Sequence, residues 1–163
     1  MDVGFETKNA GGKSGTNEWY TPPYIIEALG GKFDLDPCAP KNEWHTAKTC
    51  YTEEDNGLIL SWDGEVFLNP PYSRPEVDLF MQRMAEHANG IALLYARVGN
   101  DIFFNHVWNH ATSIVFLRKR IHFLDTEMRE SGAPGADSAL IAYGYRSDVR
   151  LRNLKLDGKY IRL

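Results

Sequence analysis

Hydrophobic positions along this chain switch repeatedly between a period of two and a period near 3.6, and the switches mark out alternating strands and helices. Glu65-Val66-Phe67-Leu68 is a short apolar run that meets Asn69-Pro70-Pro71-Tyr72, and the prolines must end it as a strand. Lys32 to Asp36, Ile91 to Ala96, Ser113 to Leu117 and Ser138 to Tyr143 read as strands as well. Helical patterns separate them. Thr21-Pro22-Pro23 predicts a helix start with Thr21 as N-cap, and Gly30-Gly31 stops it. Ser73-x-x-Glu76 predicts a capping box opening a helix whose Val77, Phe80, Met81, Met84 and Ala88 share a face, and Asn89-Gly90 ends it. Asn100-Asp101 caps a helix bearing Phe103, Phe104, Val107, Trp108 and Ala111. Val149, Leu151, Leu154 and Leu156 before Asp157-Gly158 predict a closing hairpin.

This order predicts an α/β fold, a mostly parallel sheet with helices on both faces and antiparallel additions at the end. A chain of 163 residues suits one domain. Residues 1–15, rich in Gly, Lys, Asn and Ser, are expected to be disordered, and 16–163 to form a single domain.

Composition removes some classes of function. No apolar run reaches membrane-spanning length and the N-terminus lacks a signal-peptide pattern, so the expectation is a cytoplasmic protein with no membrane partner and no obligate protein partner. Cys38 and Cys50 do not make a disulfide framework; neither they with His45, nor His106 with His110, give a recognised metal spacing, and no metal is expected. The net charge of −4 is uneven. From Arg146 onward six basic residues face two acidic ones, so this tail carries +4 and the remainder −8. Arg118-Lys119-Arg120 forms a second basic cluster, and a local phosphate-facing patch or a solvated charged face explains either one.

Asn69-Pro70-Pro71-Tyr72 carries the clearest chemistry. The Asn side-chain oxygen and the first Pro carbonyl can both accept from one exocyclic amino group, while Tyr72 offers a ring for stacking. A nitrogen so gripped can attack an activated methyl group. The alternative for the same four residues is a proline turn that merely stops a strand.

Around this tetrapeptide stand Glu18-Trp19-Tyr20-Thr21-Pro22-Pro23, Phe33-Asp34-Leu35-Asp36-Pro37-Cys38-Ala39, and Tyr51-Thr52-Glu53-Glu54-Asp55-Asn56-Gly57-Leu58 with Trp62. Leu94-Tyr95-Ala96-Arg97, Arg120-Ile121-His122-Phe123 and Ser138-Ala139-Leu140 follow in order. Together they resemble the phage-type DNA N-6-adenine methyltransferases, the Dam-like family, over nearly all the chain past residue 16. The resemblance implies methyl transfer from S-adenosylmethionine to the 6-amino group of adenine in DNA, on a Rossmann-like class I methyltransferase fold. It implies a cofactor site at Trp19, Tyr20, Thr21, Pro22, Asp36, Pro37 and Cys38, and a base grip by Asn69, Pro70, Pro71 and Tyr72. A phage-encoded copy would act in the cytoplasm of a bacterial host.

Two departures from the wider methyltransferase pattern stand out. Asp36-Pro37-Cys38-Ala39-Pro40 lacks the Gly-x-Gly that normally follows the first strand. Only about thirty residues, on the scale of one βαβ unit, separate Asp36 from Asn69, so the sheet is expected to be shortened between its usual first and fourth strands. Among Glu53, Glu54 and Asp55, the acid expected at the cofactor ribose is Asp55, with a solvated loop as the alternative. DNA contacts are expected from Arg74, Arg97, Arg118, Lys119 and Arg120, and sequence preference from the loop Leu124 to Asp137. Two other readings stay open: a methyltransferase for an RNA base or a protein glutamine amide, and an inactive nucleic-acid-binding module of the same fold.

Overall fold

The structure is a computed structural model, described here for residues 19–41, 44–132 and 134–163. The segment expected to be disordered lies outside these residues. Eleven elements run in the order α1 (Pro23–Ala28), β1 (Phe33–Asp36), β2 (Ala47–Cys50), β3 (Val66–Leu68), α2 (Glu76–His87), β4 (Gly90–Tyr95), α3 (Asp101–His106), β5 (Ser113–Leu117), β6 (Ser138–Tyr143), α4 (Tyr145–Arg152) and β7 (Gly158–Arg162).

The seven strands form one sheet in the order β2-β1-β3-β4-β6-β5-β7. Pairings among β2, β1, β3 and β4 are parallel, and those of β6 with β4 and β5, and of β5 with β7, are antiparallel. The expectation of a mostly parallel sheet is therefore corrected. Half of the pairings are antiparallel, and these are the longer ladders, because β6 inserts in reverse between β4 and β5. Following the pairings, β1 to β5 all point one way and β6 and β7 the other. The carboxyl ends of β1 to β5 thus share one rim of the sheet.

Both faces are covered, as the strand pattern requires. Val66, Leu68, Ala92 and Leu94 pack under α2 and α3, with Val77, Phe80, Met81, Met84 and Phe103. The alternate residues Phe67, Ile91 and Leu93 pack under α1 and α4 with Ile25, Ile26, Leu29 and Leu151. Successive strand residues point to opposite faces, so continuous apolar runs are what a sheet buried on both sides needs.

Several local expectations change. Pro22, not Thr21, is the N-cap of α1, which leaves the Thr21 side chain for another use; Gly30 and Gly31, at φ of +92° and +107°, stop the helix as expected. Pro75 caps α2 without a side-chain bond, so the Ser73–Glu76 capping box does not form. Asn100 does cap α3, accepting from the Phe103 N–H at 3.0 Å.

The closing hairpin is replaced by helix α4 followed by β7, which pairs with β5. Ser147, Asp148 and Leu151 are buried at helical spacing, and their tertiary bonds and packing outweigh the local strand propensity. Asp148 accepts from Tyr160 Oη and from Arg162 Nη1, both at 2.7 Å, and so ties α4 to β7. Buried Glu65 accepts from Ser147 Oγ at 2.9 Å and Arg150 Nε at 2.7 Å, while Arg150 donates to the carbonyls of Leu29 and Gly31 at 2.8 and 3.0 Å. Four of the six basic residues of the tail, Arg146, Arg150, Arg152 and Arg162, thus pair with two buried acids, Glu65 and Asp148, at the rim where the strands begin.

Candidate active site

Strand order reverses direction next to β1: the chain leaves β1 for β2 on one side and later returns with β3 on the other. In open α/β sheets such a switch point leaves a crevice at the carboxyl ends of the strands. A cavity of about 470 Å³ lies there, bounded by Asp36 to Pro40 after β1, Thr52, Glu53 and Asn56 to Leu58 after β2, Asn69 to Ser73 after β3, and Trp19 to Thr21.

The far wall is the long connection from β2 to β3. Trp62 Nε1 and Arg83 Nη1 both donate to the Gly57 carbonyl at 2.8 Å, the Arg83 guanidinium lies 4.8 Å from the Trp62 ring centroid, and Arg83 Nη2 reaches the Leu60 carbonyl. Gly57 itself packs against the turn after β1. A Cβ there would stand 2.1 Å from the Pro37 carbonyl oxygen. Gly57 thus lets this loop approach the turn after β1 more closely than a residue with a Cβ could.

Asp36 sits at the floor, 2 % exposed, accepting from the Cys38 N–H at 2.9 Å and from Thr46 Oγ1. Burial pushes its carboxyl up to about 6, against the pull of those two hydrogen bonds. The same burial, with Asp36 alongside, raises the Cys38 thiol well above its ordinary range.

Asn69 is held in one amide orientation by two hydrogen bonds. Its Nδ2 donates to the Trp19 carbonyl and to Thr21 Oγ1, each at 3.2 Å. A carbonyl can only accept, so the amide nitrogen must face it and the amide oxygen must face the other way. Asn69 Oδ1 is buried and has no partner among the described residues. Thr21, displaced from its expected capping role, is what holds this orientation together with Trp19.

Tyr72 separates the large cavity from a smaller one of about 160 Å³ lined by Arg74, Val77, Leu94, Tyr95, Arg97, Asn100 and Phe103. Its ring stacks on Tyr95 with centroids 4.5 Å apart and 22° between planes. One face of Tyr72 is therefore already occupied. Burial raises its phenol, which donates to the Leu93 carbonyl at 3.4 Å.

The expected site residues divide accordingly. Trp19, Tyr20, Thr21, Asp36, Pro37, Cys38, Asn69, Pro70, Pro71 and Tyr72 all line the large cavity, whereas Pro22 does not and instead starts α1. Asp55 is also outside it. Its Oδ2 accepts from the Thr52 N–H and Oγ1 at 2.8 and 3.0 Å, turning the loop on itself, and Glu53 faces the cavity in its place. Glu76, read in the sequence as a cap, lines the cavity with a buried, unpartnered Oε2. Three carboxyl groups, Asp36, Glu53 and Glu76, and no Lys, Arg or His border this cavity among the described residues.

The two expected arginines Arg74 and Arg97 come together at the small cavity. Arg118 and Arg120 follow β5 on the same rim, but pair with Asp157 at 3.1 Å and Asp137 at 3.0 Å; Lys119 between them is exposed. Among the described residues no group of three metal-ligating side chains comes together, and no helix is long and apolar enough to cross a membrane.

Compared with known proteins, residues 9–150 match the family described as DNA N-6-adenine-methyltransferase (Dam). The chain belongs to this family. It is similar to a DNA N-6-adenine-methyltransferase of Escherichia phage T1, at 34% identity over 107 residues, covering 61% of this chain and 44% of the phage protein. The chain thus spans less than half the length of that relative. No solved structure matches it. All the lining segments named above, from Trp19 to Phe80, fall inside the span shared with the family.

Proposed function

We propose that this chain methylates the 6-amino group of adenine in DNA, with S-adenosylmethionine as methyl donor. The observation that carries the reading is Asn69, whose amide is fixed by Trp19 and Thr21 so that an unpartnered acceptor is presented beside Pro70. Such an acceptor suits an amino group. Held by Asn69 Oδ1 and the Pro70 carbonyl, the amine has its hydrogens engaged and its lone pair aimed away from them, toward the methyl donor.

The larger cavity suits that donor. Its volume lies in the usual range for small-molecule sites, roughly 300–1,000 Å³. Three carboxyls without a cationic side chain disfavour phosphate-bearing cofactors and favour a cation, and Trp19, Tyr20 and Tyr72 add aromatic faces for it. When bound, the cofactor supplies a methyl group on a positive sulfur. Glu53, in the loop after β2, lines this cavity where Asp55 does not, and this supports Glu53 as the acid for ribose hydroxyls.

The target adenine lies inside a duplex and must be flipped out to reach Asn69. It enters from the side of the small cavity, where Arg74 and Arg97 offer charge to its phosphates, with Lys119 farther along the rim. Tyr72 stacks on the base with the face it does not share with Tyr95. The fold is read as a reduced class I methyltransferase sheet: β1 lies second from the edge, the reversed β6 lies between β4 and β5, and one four-residue strand, β2, remains on the far side of β1. DNA as substrate places its work in the cytoplasm, that of a bacterial host for a phage-encoded copy.

Single-turnover methylation by Asn69→Ala tests the reading. Loss of one preorganised acceptor is expected to cost on the order of a hundredfold or more in rate. An unchanged rate with a normal fold would make Asn69 a turn residue and sink the proposal.

A further inference from the structure

We infer that Glu76 reads the 6-amino group of the cofactor's own adenine and so makes the cavity selective for an adenosyl over a 6-oxo purine ligand; this rests on the cofactor reading above. Glu76 opens α2 and lines the large cavity, where its Oε2 is shielded from solvent and has no hydrogen-bond partner among the described residues. It forms no ion pair among the described residues, and the nearby Arg74 faces Asp78 instead, at 3.9 Å. A carboxylate oxygen removed from water without a donor is costly, so this atom is built to receive a donor from a ligand.

The surroundings define which donor. Phe80 lies one turn along α2 on the same face, and Gly57 and Leu58 border the cavity from the loop held by Trp62 and Arg83. A lining that combines the Phe80 ring and the Leu58 side chain with an unpartnered acceptor fits a planar heterocycle carrying an amino group, better than a compact ammonium ion. The cavity's other orphan acceptor, Asn69 Oδ1, is engaged by the substrate amine in the same reading, so the two amines are told apart by place. A 6-oxo purine in the cofactor position would set oxygen against the Glu76 carboxylate and leave both unsatisfied.

The test is calorimetric binding of S-adenosylhomocysteine and its 6-oxo counterpart, S-inosylhomocysteine, to the full chain and to Glu76→Gln. A site built to bond one polar group rejects its replacement strongly. The wild type is expected to prefer the adenosyl ligand by about ten- to a hundredfold, as for a hydrogen bond to a charged acceptor. Glu76→Gln can donate as well as accept, so the preference is expected to shrink several-fold or vanish, chiefly through tighter binding of the inosyl ligand. Equal binding of both ligands by the wild type, or the same preference in Glu76→Gln, would overturn this inference and leave the cofactor reading intact. Failure of the wild type to bind either ligand would overturn both.

Discussion

Asp36 is a buried acid whose ionisation bears on the stability of the fold and, under the proposed function, on the affinity for a cationic cofactor. Its carboxyl is raised from an ordinary 3.8 to about 6 because burial penalises the charged form more than Thr46 and Cys38 relieve it. A carboxyl raised on folding stabilises the fold fully below its unfolded value, and this contribution disappears as pH rises through about 6. The free protein is therefore stabilised by acid over this window as far as Asp36 is concerned. A cationic ligand reverses the preference, since it favours the ionised carboxylate. Affinity for S-adenosylmethionine is expected to fall as pH drops through about 6, approaching tenfold per unit, and Asp36→Asn should flatten the profile. Calorimetric titrations between about pH 5 and about pH 7 check this; a flat wild-type profile would show that the ligand's charge is not felt at Asp36.

At the scale of elements, the connection between β2 and β3 forms one wall of the cavity. Its geometry depends on Gly57, where a methyl group would collide with backbone and not with a yielding side chain. Gly57→Ala is expected to push the loop away from Pro37 and weaken cofactor binding at least tenfold, with a destabilisation of roughly 1–3 kcal/mol of the overpacking kind. Paired titration and urea denaturation measure the two effects. Much of this region is legible in the sequence. The strand running into Asn69-Pro70-Pro71-Tyr72 is visible because apolar residues and prolines are adjacent, and α3 because Asn100 caps it locally. β2 is not, because Ala47-Lys48-Thr49-Cys50 has one buried residue and owes its form to pairing with distant β1. Helix α4 reads as a strand because Val149, Leu151 and Leu154 suit either period, and the buried Asp148 and Ser147 that decide it bond to residues elsewhere in the chain. Glu53 and Glu76 are obscured for a similar reason: which acid faces a cavity depends on loop closure, and a serine three residues before a glutamate looks like a cap whether or not it serves as one.

The whole molecule has two ends with different uses for charge. At the rim where strands begin, arginines serve the fold: Arg150 meets buried Glu65 and the carbonyls that follow α1, and Arg152 and Arg162 meet buried Asp148. At the opposite rim, Arg97 and Lys119 form no ion pair among the described residues, and Arg74 lies 3.9 Å from Asp78. Arg150→Ala is expected to cost roughly 3–5 kcal/mol in denaturant unfolding, since it strands a buried carboxylate. Arg74→Ala with Arg97→Ala should leave stability nearly unchanged and weaken DNA binding for all sequences, reducing the log–log salt slope by about 0.9 for each phosphate that is no longer neutralised. An unchanged slope would place the DNA on another surface.

Transfer of a methyl group to an adenine amine at this rim leaves a product that identifies itself. The purified protein is incubated with methyl-labelled S-adenosylmethionine and unmodified DNA, and the DNA is hydrolysed to nucleosides. The label is expected in N6-methyldeoxyadenosine, and its appearance should be abolished by Asn69→Ala. Label in a cytosine nucleoside or on protein, or no label from a protein that binds the cofactor, would contradict adenine methylation by this site.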